Sequence, residues 1–320
     1  MILQTHKIII KVPHRISGFF EIVDEFDGIK IIDLERIGSR GAGFNLNSVG
    51  KTEIIFEDST NKNQSSCRIY INNEELNEKA ETSHFIFNYL KNLSKKQVTV
   101  KVFHNFDLPV GCGYGASGSG ALGMAYGLNI LLKLRLSAYE IGRIAHVAEV
   151  TKKTGLGTIC GIIGGGLCIL KEPGYPCNIE KIKVPPNIEI ICGSFGIIPT
   201  KSILSDPILS SRIKQAGMKA LVKLKKEPNI KNFVSVSKDF VYETDILNLL
   251  KLNKIKELIE DLNKTNIIGA SMNQIGRSVY AITKKEDAHK VLEIFESFKP
   301  EIKIFESTIR EKKEISIKRY

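Results

Sequence analysis

The 320-residue sequence has no apolar run that approaches the roughly 20 residues needed to cross a bilayer. The isoleucine run at residues 8–10 is also too short for the core of a signal peptide. Internal repeats and low-complexity segments are absent as well. These absences argue against a membrane protein, a secreted protein and a repeat protein, and we expect a cytoplasmic protein.

Cysteine is scarce and shows no metal-binding spacing. The cysteines form no C-x-x-C pair and do not alternate with histidine as zinc ligands do. Thiols in the cytoplasmic compartment stay reduced. We therefore predict reduced interior residues at all six positions, which are Cys67, Cys112, Cys160, Cys168, Cys177 and Cys192.

Long blocks of one charge sign are also missing, although the formal net charge is +11. The lysines are interspersed with glutamates, as at residues 284–286 and 311–314, which is typical of a solvated surface. The aromatic residues are not interleaved with arginine as base-stacking platforms would be. The positive charge favours acidic metabolites as ligands and leaves nucleic-acid binding as a weaker alternative.

The length and the hydrophobic fraction of 42% fit a globular protein of two domains. Prolines and glycines at residues 172–186 indicate a boundary, so we predict one domain over residues 1–172 and a second over 173–320. Near the end of the chain, the pattern predicts a strand over residues 278–283, a helix over 286–298 and a strand over 302–305. This order favours a ferredoxin-like α+β sandwich for the second domain.

The N-terminal half mixes strands and helices. Residues 8–12 predict a strand that stops at Pro13, and the alternating valines of residues 98–102 predict another. A helix carries the apolar residues between 121 and 132. A second helix opens at Ser137, where Glu140 completes a capping box.

A glycine-rich loop at residues 108–122 lies between the second of these strands and the helix that follows. Its five glycines let the backbone approach a bulky anion, and the helix directs its free N–H groups at that anion. The hydroxyls of Ser117 and Ser119 add ligands for phosphate or Mg²⁺. A dinucleotide fingerprint lacks its acidic residue here, a Walker loop lacks its lysine, and a tight turn for helix packing remains the structural alternative.

Glu149 is a carboxylate on the apolar face of a helix, because it follows Ala145 by four residues. Burying an unpaired charge is costly, so a hard divalent cation is a natural partner. The alternative is that Glu149 turns to solvent or pairs with Lys152 or Lys153. A second glycine-rich turn at residues 154–167 follows directly, which indicates one composite site.

With these motifs together, the chain resembles the GHMP kinase superfamily. The family signature of a proline and a glycine-rich run ending in serine matches residues 109–121, and the late glycine-containing motif matches residues 269–276. Further stretches resemble the archaeal pantoate kinases within that superfamily. They are residues 13–20, 38–43, 113–118, 154–157 and 196–201.

The resemblance implies an α+β GHMP kinase fold, with an N-terminal domain like domain 2 of ribosomal protein S5 and a ferredoxin-like second domain. It implies transfer of the ATP γ-phosphoryl group to the 4-hydroxyl of (R)-pantoate for coenzyme A synthesis. Ser117 and Glu149 would hold Mg²⁺. No nucleic acid or membrane is expected as a partner, and a homodimer stays open. The triphosphate would lie against Pro109, Gly111, Gly113, Gly115, Ala116, Ser117, Gly118, Ser119 and Gly120.

One residue departs from the family pattern. In the family, an aspartate usually follows Gly-Leu-Gly and organises the attacking hydroxyl. This chain has Thr158 there, so the predicted catalytic residues are Ser117, Glu149 and Thr158. Threonine accepts no proton at neutral pH, so another group substitutes, no base is used, or catalysis is lost. A non-catalytic nucleotide-binding relative and a kinase for another small alcohol, of the homoserine or mevalonate type, are therefore the alternative hypotheses.

A substrate carboxylate calls for a guanidinium, which grips it through two parallel hydrogen bonds. Arg40 is the first choice because two glycine-rich turns flank it. The other candidates are Arg15 and Arg277 for the carboxylate, and His14, Ser17 and Lys201 in matching motifs for the rest of the substrate.

Overall fold

The computed structural model describes residues 7–57, 65–76, 80–312 and 315–320 as an α+β arrangement of two large sheets, one two-stranded sheet and their helices. In chain order, the strands are β1 (Lys7–Val23), β2 (Glu25–Phe26), β3 (Ile29–Lys30), β4 (Gly38–Glu57), β5 (Ser66–Ile71), β6 (Glu74–Glu75), β7 (Thr99–Phe106), β8 (Leu167–Leu170), β9 (Ile179–Ile182), β10 (Ile188–Gly196), β11 (Gly269–Met272), β12 (Arg277–Lys284), β13 (Lys303–Ser307) and β14 (Ser316–Arg319). The helices are α1 (Glu81–Ser94), α2 (Ala116–Leu131), α3 (Ala138–Lys152), α4 (Thr158–Gly164), α5 (Thr200–Ser205), α6 (Pro207–Lys226), α7 (Ile230–Glu243), α8 (Ile246–Leu249), α9 (Asn253–Asn263) and α10 (Ala288–Glu296).

Two long antiparallel strands, β1 and β4, organise the first sheet, which has eight strands. Six of them follow the order β14-β1-β4-β7-β5-β6, and β8 and β9 extend from β4 beside this path. The alternation in β1 buries Ile8, Ile10 and Val12 beneath the helices. The strand continues through Pro13 with a register shift between Pro13 and Arg15. The prediction that it stops at Pro13 is therefore wrong, since such an irregularity accommodates a residue that cannot donate a ladder hydrogen bond.

The start of α3 confirms the predicted capping box. Ser137 Oγ accepts from the Glu140 backbone N–H at 3.2 Å, and Glu140 Oε2 accepts from the Ser137 backbone N–H at 2.7 Å. These bonds satisfy two backbone N–H groups. One of them belongs to the first turn of the helix, where N–H groups have no partner within the helix. The cap thus fixes the helix that carries Glu149.

The second sheet confirms the ferredoxin-like prediction. Its order is β11-β12-β10-β13, every neighbouring pair is antiparallel, and α10 connects β12 to β13. The helix starts two residues later than predicted, because residues 285–287 form a 3₁₀ turn. Among the described residues, no helix combines the length and the apolar character of a membrane span.

The predicted boundary between residues 172 and 173 falls inside the first sheet. Strand β9 pairs with β8, and β14 returns from the chain end to pair with β1. The prolines near residue 173 therefore mark a turn between paired strands rather than a linker. Phe44 of the first sheet packs edge-on against Phe233 and Tyr280 at ring distances of 5.9 and 5.6 Å, so the two halves share one core.

Cys160 and Cys177 form a disulfide, which contradicts the prediction that all six cysteines are reduced. They lie 17 residues apart in sequence and 5.3 Å apart between Cα atoms. The turn between β8 and β9 carries Cys177 back over α4, and the linear spacing gives no sign of this approach. The disulfide ties α4 to that turn.

Candidate active site

A cavity of about 390 Å³ lies where the glycine-rich loop, the turn at residues 152–158 and α5 meet β1 and β4. The late motif also reaches it through Gln274 and Ile275. The walls therefore come from the first sheet, from the loop between β11 and β12 and from other segments far apart in sequence. This convergence is typical of a small-molecule site.

The glycine-rich loop needs glycine for its backbone. Gly111, Gly113 and Gly115 have φ angles of +78°, +89° and +66°, a region that favours glycine. Gly115 is the N-cap of α2, so the helix begins at the cavity with backbone N–H groups that lack helical partners. The positive end of the helix dipole and these donors suit a phosphate group.

The structure divides the predicted phosphate-binding residues into two groups. Pro109, Gly118 and Ser119 do not line the cavity. The Ser119 side chain is fully buried, and its hydroxyl donates to the Val12 carbonyl at 3.0 Å, so it anchors α2 on β1 instead of facing a ligand. The residues that do line the cavity are Gly111, Gly113, Gly115, Ala116, Ser117 and Gly120.

Glu149 lies in the last turn of α3 with only 1% of its surface exposed. Its Oε1 accepts a hydrogen bond from the Thr154 hydroxyl at 3.3 Å, while Oε2 has no partner among the described residues. Burial raises the pKa of Glu149 to about 7, although the hydroxyls of Ser117, Thr154 and Thr158 act in the opposite direction. The alternative of a solvent-facing or lysine-paired carboxylate is not observed.

The surroundings of Glu149 fit Mg²⁺. An anionic oxygen that is buried without a partner is costly unless a cation joins it. Mg²⁺ is commonly held by one or two carboxylates together with substrate phosphates and waters. Within the described ranges no cluster of three or more acidic, histidine or cysteine side chains offers a complete metal cage. The site therefore suits a cation that arrives with a phosphate ligand.

Thr158 is the first residue of α4 and meets Glu149 and the glycine-rich loop at one point. A Cβ atom added to Gly118 would lie 2.6 Å from Thr158 Cγ2 and 3.2 Å from Glu149 Oε2. The Ser117 hydroxyl also lies close enough to Glu149 to influence its pKa. The fold thus brings the three predicted catalytic residues together.

Four of the six predicted substrate residues line the cavity, and they are Arg15, Ser17, Arg40 and Lys201. Arg40 lines the cavity and forms a double hydrogen bond with Glu21, at 2.9 Å from Nε and 2.7 Å from NH2. Lys201 also lines it, with Nζ 3.8 Å from Glu81 Oε1. Ser17 lines it too, and its carbonyl accepts from the backbone N–H of Gln274 at 2.9 Å.

His14 and Arg277 do not reach the cavity wall. His14 is fully buried behind the glycine-rich loop, where Nδ1–H donates to the Tyr114 carbonyl at 2.9 Å and burial lowers the pKa. Arg277 is solvent-exposed at the start of β12. Their motifs match in sequence, but alternation along each strand directs these side chains away from the cavity.

The sequence analysis missed a buried polar group in the cavity wall. His104 of β7 is 2% exposed, and its ring nitrogens lie 2.9 Å from Thr52 Oγ1 and 3.0 Å from Ser83 Oγ. Burial lowers the pKa of His104 to about 4. A histidine in an alternating strand gives no sequence signal for such a network, because its partners come from β4 and α1.

We expect the low pKa of His104 to destabilise the fold in acid. Between pH 6.5 and 4 the unfolded chain binds a proton at His104 that the folded chain does not, so the free energy of unfolding falls as the pH falls, by up to about 3 kcal/mol. Urea unfolding at pH 7, 5.5 and 4.5 should show a smaller acid loss for His104→Gln than for the native protein. The difference in the free energy of unfolding between the native protein and the variant cancels the contributions of the other titrating groups. An identical pH dependence of this free energy in both proteins would contradict the role of His104.

Comparisons with known proteins agree with this geometry. The family model of the GHMP kinases N terminal domain matches residues 82–166. The chain is 32% identical to a pantoate kinase of Methanocaldococcus jannaschii, over 89% of this chain and 96% of that relative. It is 28% identical to a pantoate kinase of Thermococcus kodakarensis, over 88% and 90%. A solved phosphotransferase related to the coenzyme A biosynthesis pathway superposes with a TM-score of 0.84 at 25% identity, covering 98% of this chain and 99% of that one.

Proposed function

The chain belongs to the GHMP kinase family, and from this premise we propose that it transfers the γ-phosphoryl group of ATP to the 4-hydroxyl of (R)-pantoate, for coenzyme A synthesis. The expected α+β GHMP kinase fold is confirmed. We also propose a cytoplasmic location for the enzyme. A homodimer and the absence of nucleic-acid binding stay predictions.

The unpaired Glu149 Oε2 beside Ser117, at the N-terminus of α2, carries the kinase proposal. Ser117 and Glu149 would hold Mg²⁺, which supplies charge neutralisation to the phosphates when it is bound. The N–H groups at the start of α2 and the glycine-rich loop bind the triphosphate oxygens. Phosphoryl transfer requires mainly such positioning and charge stabilisation.

The walls of the cavity suit a branched aliphatic acid. Its apolar surface comes from Phe19, Phe20, Leu156, Leu170 and Leu204. Arg40 is our proposed carboxylate anchor, because a guanidinium has five N–H donors and Glu21 takes two of them. The Glu21 pair then orients the remaining edge of the guanidinium.

We propose that no carboxylate base acts on the substrate hydroxyl. Thr158 cannot accept the proton, and the one acidic side chain among the described cavity-lining residues is Glu81, which lies 3.8 Å from Lys201. A loose transition state needs little deprotonation before attack, so the proton can leave late, to an oxygen of the transferred phosphoryl group. Thr158 then shapes the site without moving a proton.

Turnover of a panel of alcohols tests the assignment. The purified protein with ATP and Mg²⁺ is expected to release ADP with pantoate at a kcat/KM at least about tenfold above homoserine or mevalonate, since a mismatched pocket costs about 1–3 kcal/mol. The product mass should increase by one phosphoryl group, and ATP without alcohol gives the background rate. ADP release with another alcohol but not with pantoate would disprove the substrate.

The non-catalytic hypothesis has its own outcome in this assay. Thr158 motivates it, since the family usually has aspartate there. If the native protein turns over none of the alcohols and Thr158→Asp restores ADP release, the chain is a non-catalytic relative and the kinase proposal fails. Turnover by the native protein excludes that hypothesis.

A further inference from the structure

Arg15 of β1 is a buried cation without an acidic partner. Its residue surface is 3% exposed, and no carboxylate of the described residues lies within 4 Å of its guanidinium. The other arginine that lines the cavity, Arg40, is paired with Glu21. Burying a charge without a counterion costs free energy, so Arg15 must serve a role other than forming an ion pair.

The guanidinium of Arg15 is directed at the end of α4. NH1 donates to the Gly161 carbonyl at 3.0 Å and to Asn45 Oδ1 at 3.3 Å. The amide of Asn45 in turn donates to the Ile162 carbonyl at 2.8 Å. The Gly161 and Ile162 carbonyls also accept from the N–H of the C-cap residue Gly165, at 3.3 and 3.2 Å. The bonds from Arg15 and Asn45 and the positive charge add to this cap and stabilise the C-terminal turn of α4.

The contact between Arg15 and α4 depends on Gly161. A Cβ atom at that position would lie 1.9 Å from Arg15 Nε and 2.3 Å from Cζ. The guanidinium therefore lies directly against the helix backbone. The other end of Arg15 touches the glycine-rich loop, where its backbone N–H donates to the Tyr114 carbonyl at 3.1 Å.

We propose that Arg15 is a positioning residue that couples the glycine-rich loop to α4 and so holds Thr158 against Ser117 and Glu149. Helix α4 has only seven residues, with Thr158 as the first and the Arg15 contact at Gly161, three residues later. A shift of its last turn therefore displaces its first residue. Arg15 also lines the cavity, so binding of the substrate carboxylate is the competing role. The positioning role rests on the proposed function.

The first test compares Arg15→Lys with Arg40→Lys. Lysine keeps the charge but cannot reproduce the planar fork of arginine. We expect Arg15→Lys to lower kcat about 10- to 30-fold and to change the KM for pantoate less than about threefold, as loss of a supporting contact does. Arg40→Lys should instead raise the KM for pantoate. A tenfold rise of that KM in Arg15→Lys, with kcat retained, would show a substrate anchor and overturn the proposal.

The second test does not depend on activity. Hydrogen–deuterium exchange of peptides covering residues 155–166 should be faster in Arg15→Lys and in Gly161→Ala than in the native protein, while α10 is unaffected. The two changes together should cost less than the sum of the single changes, because they break the same contact. Unchanged exchange in α4 would overturn the positioning role, even if the kinase proposal holds. Conversely, failure of every alcohol as a substrate leaves the exchange result standing.

Discussion

Gly118→Ala is expected to lower kcat/KM at least about 100-fold, although alanine is the better helix former by about 1 kcal/mol. Gly118 lies in the first turn of α2, and an added Cβ would stand 2.6 Å from Thr158 Cγ2 and 3.2 Å from Glu149 Oε2. Thr158 is β-branched and fixed at the start of α4, so its side chain cannot rotate away as the end of a long, flexible side chain could. The added methyl group would therefore displace the catalytic groups themselves. A displacement of about 1 Å in such a site costs about 100-fold in rate.

Gly120→Ala is the matched comparison for this substitution. It adds the same methyl group to the same helix, at a residue that also lines the cavity, but the nearest atoms lie at 3.4 and 3.5 Å, which is ordinary van der Waals contact. Steady-state kinetics with ATP and pantoate should show a loss below about tenfold for Gly120→Ala. Thermal unfolding should find both variants folded. Equal activity of the two variants would show that the space between Gly118, Thr158 and Glu149 is not the reacting centre.

Local patterns predicted the features that depend on a single segment. The spacing of Glu149 behind Ala145 is sufficient to place it on the buried face of a helix, and the residue is 1% exposed in the structure. The capping box at Ser137 and the order of the last two strands and their helix are likewise local signals. Such features follow from the helical and strand periodicities, which tertiary context did not override here.

Features that depend on contacts between distant segments were not predictable. Ser117 and Ser119 are two residues apart, and successive helix positions turn by about 100°, so only one of them faces the cavity. The packing of α2 on β1 decides which one, and no local pattern contains that information. The Cys160–Cys177 disulfide depends on how the turn after β8 returns to α4, and the Arg40–Glu21 pair depends on the register between β1 and β4.

Glu149→Gln is expected to lower kcat about 1000-fold without lowering the stability of the ligand-free protein. The carboxylate has an oxygen that is buried without a partner, so the neutral amide of the same shape removes an uncompensated charge. The same change removes the anionic ligand proposed for Mg²⁺, and loss of one electrostatic contact to the reacting group costs about 100- to 1000-fold. A substitution that lowers activity but does not lower stability is typical of a functional residue whose native side chain destabilises the fold.

Glu140→Gln is the control, because it makes the same substitution in the first turn of the same helix. Glutamine also serves in a capping box, so we expect native kinetics and a native midpoint of thermal unfolding. Differential scanning fluorimetry with a non-hydrolysable ATP analogue should show stabilisation that increases with Mg²⁺ in the native protein and in Glu140→Gln, but not in Glu149→Gln. If Glu149→Gln retains the Mg²⁺-dependent stabilisation and the native rate, the buried carboxylate does not hold the cation. The phosphates would then have to be neutralised from the glycine-rich loop and the lysines of the cavity alone.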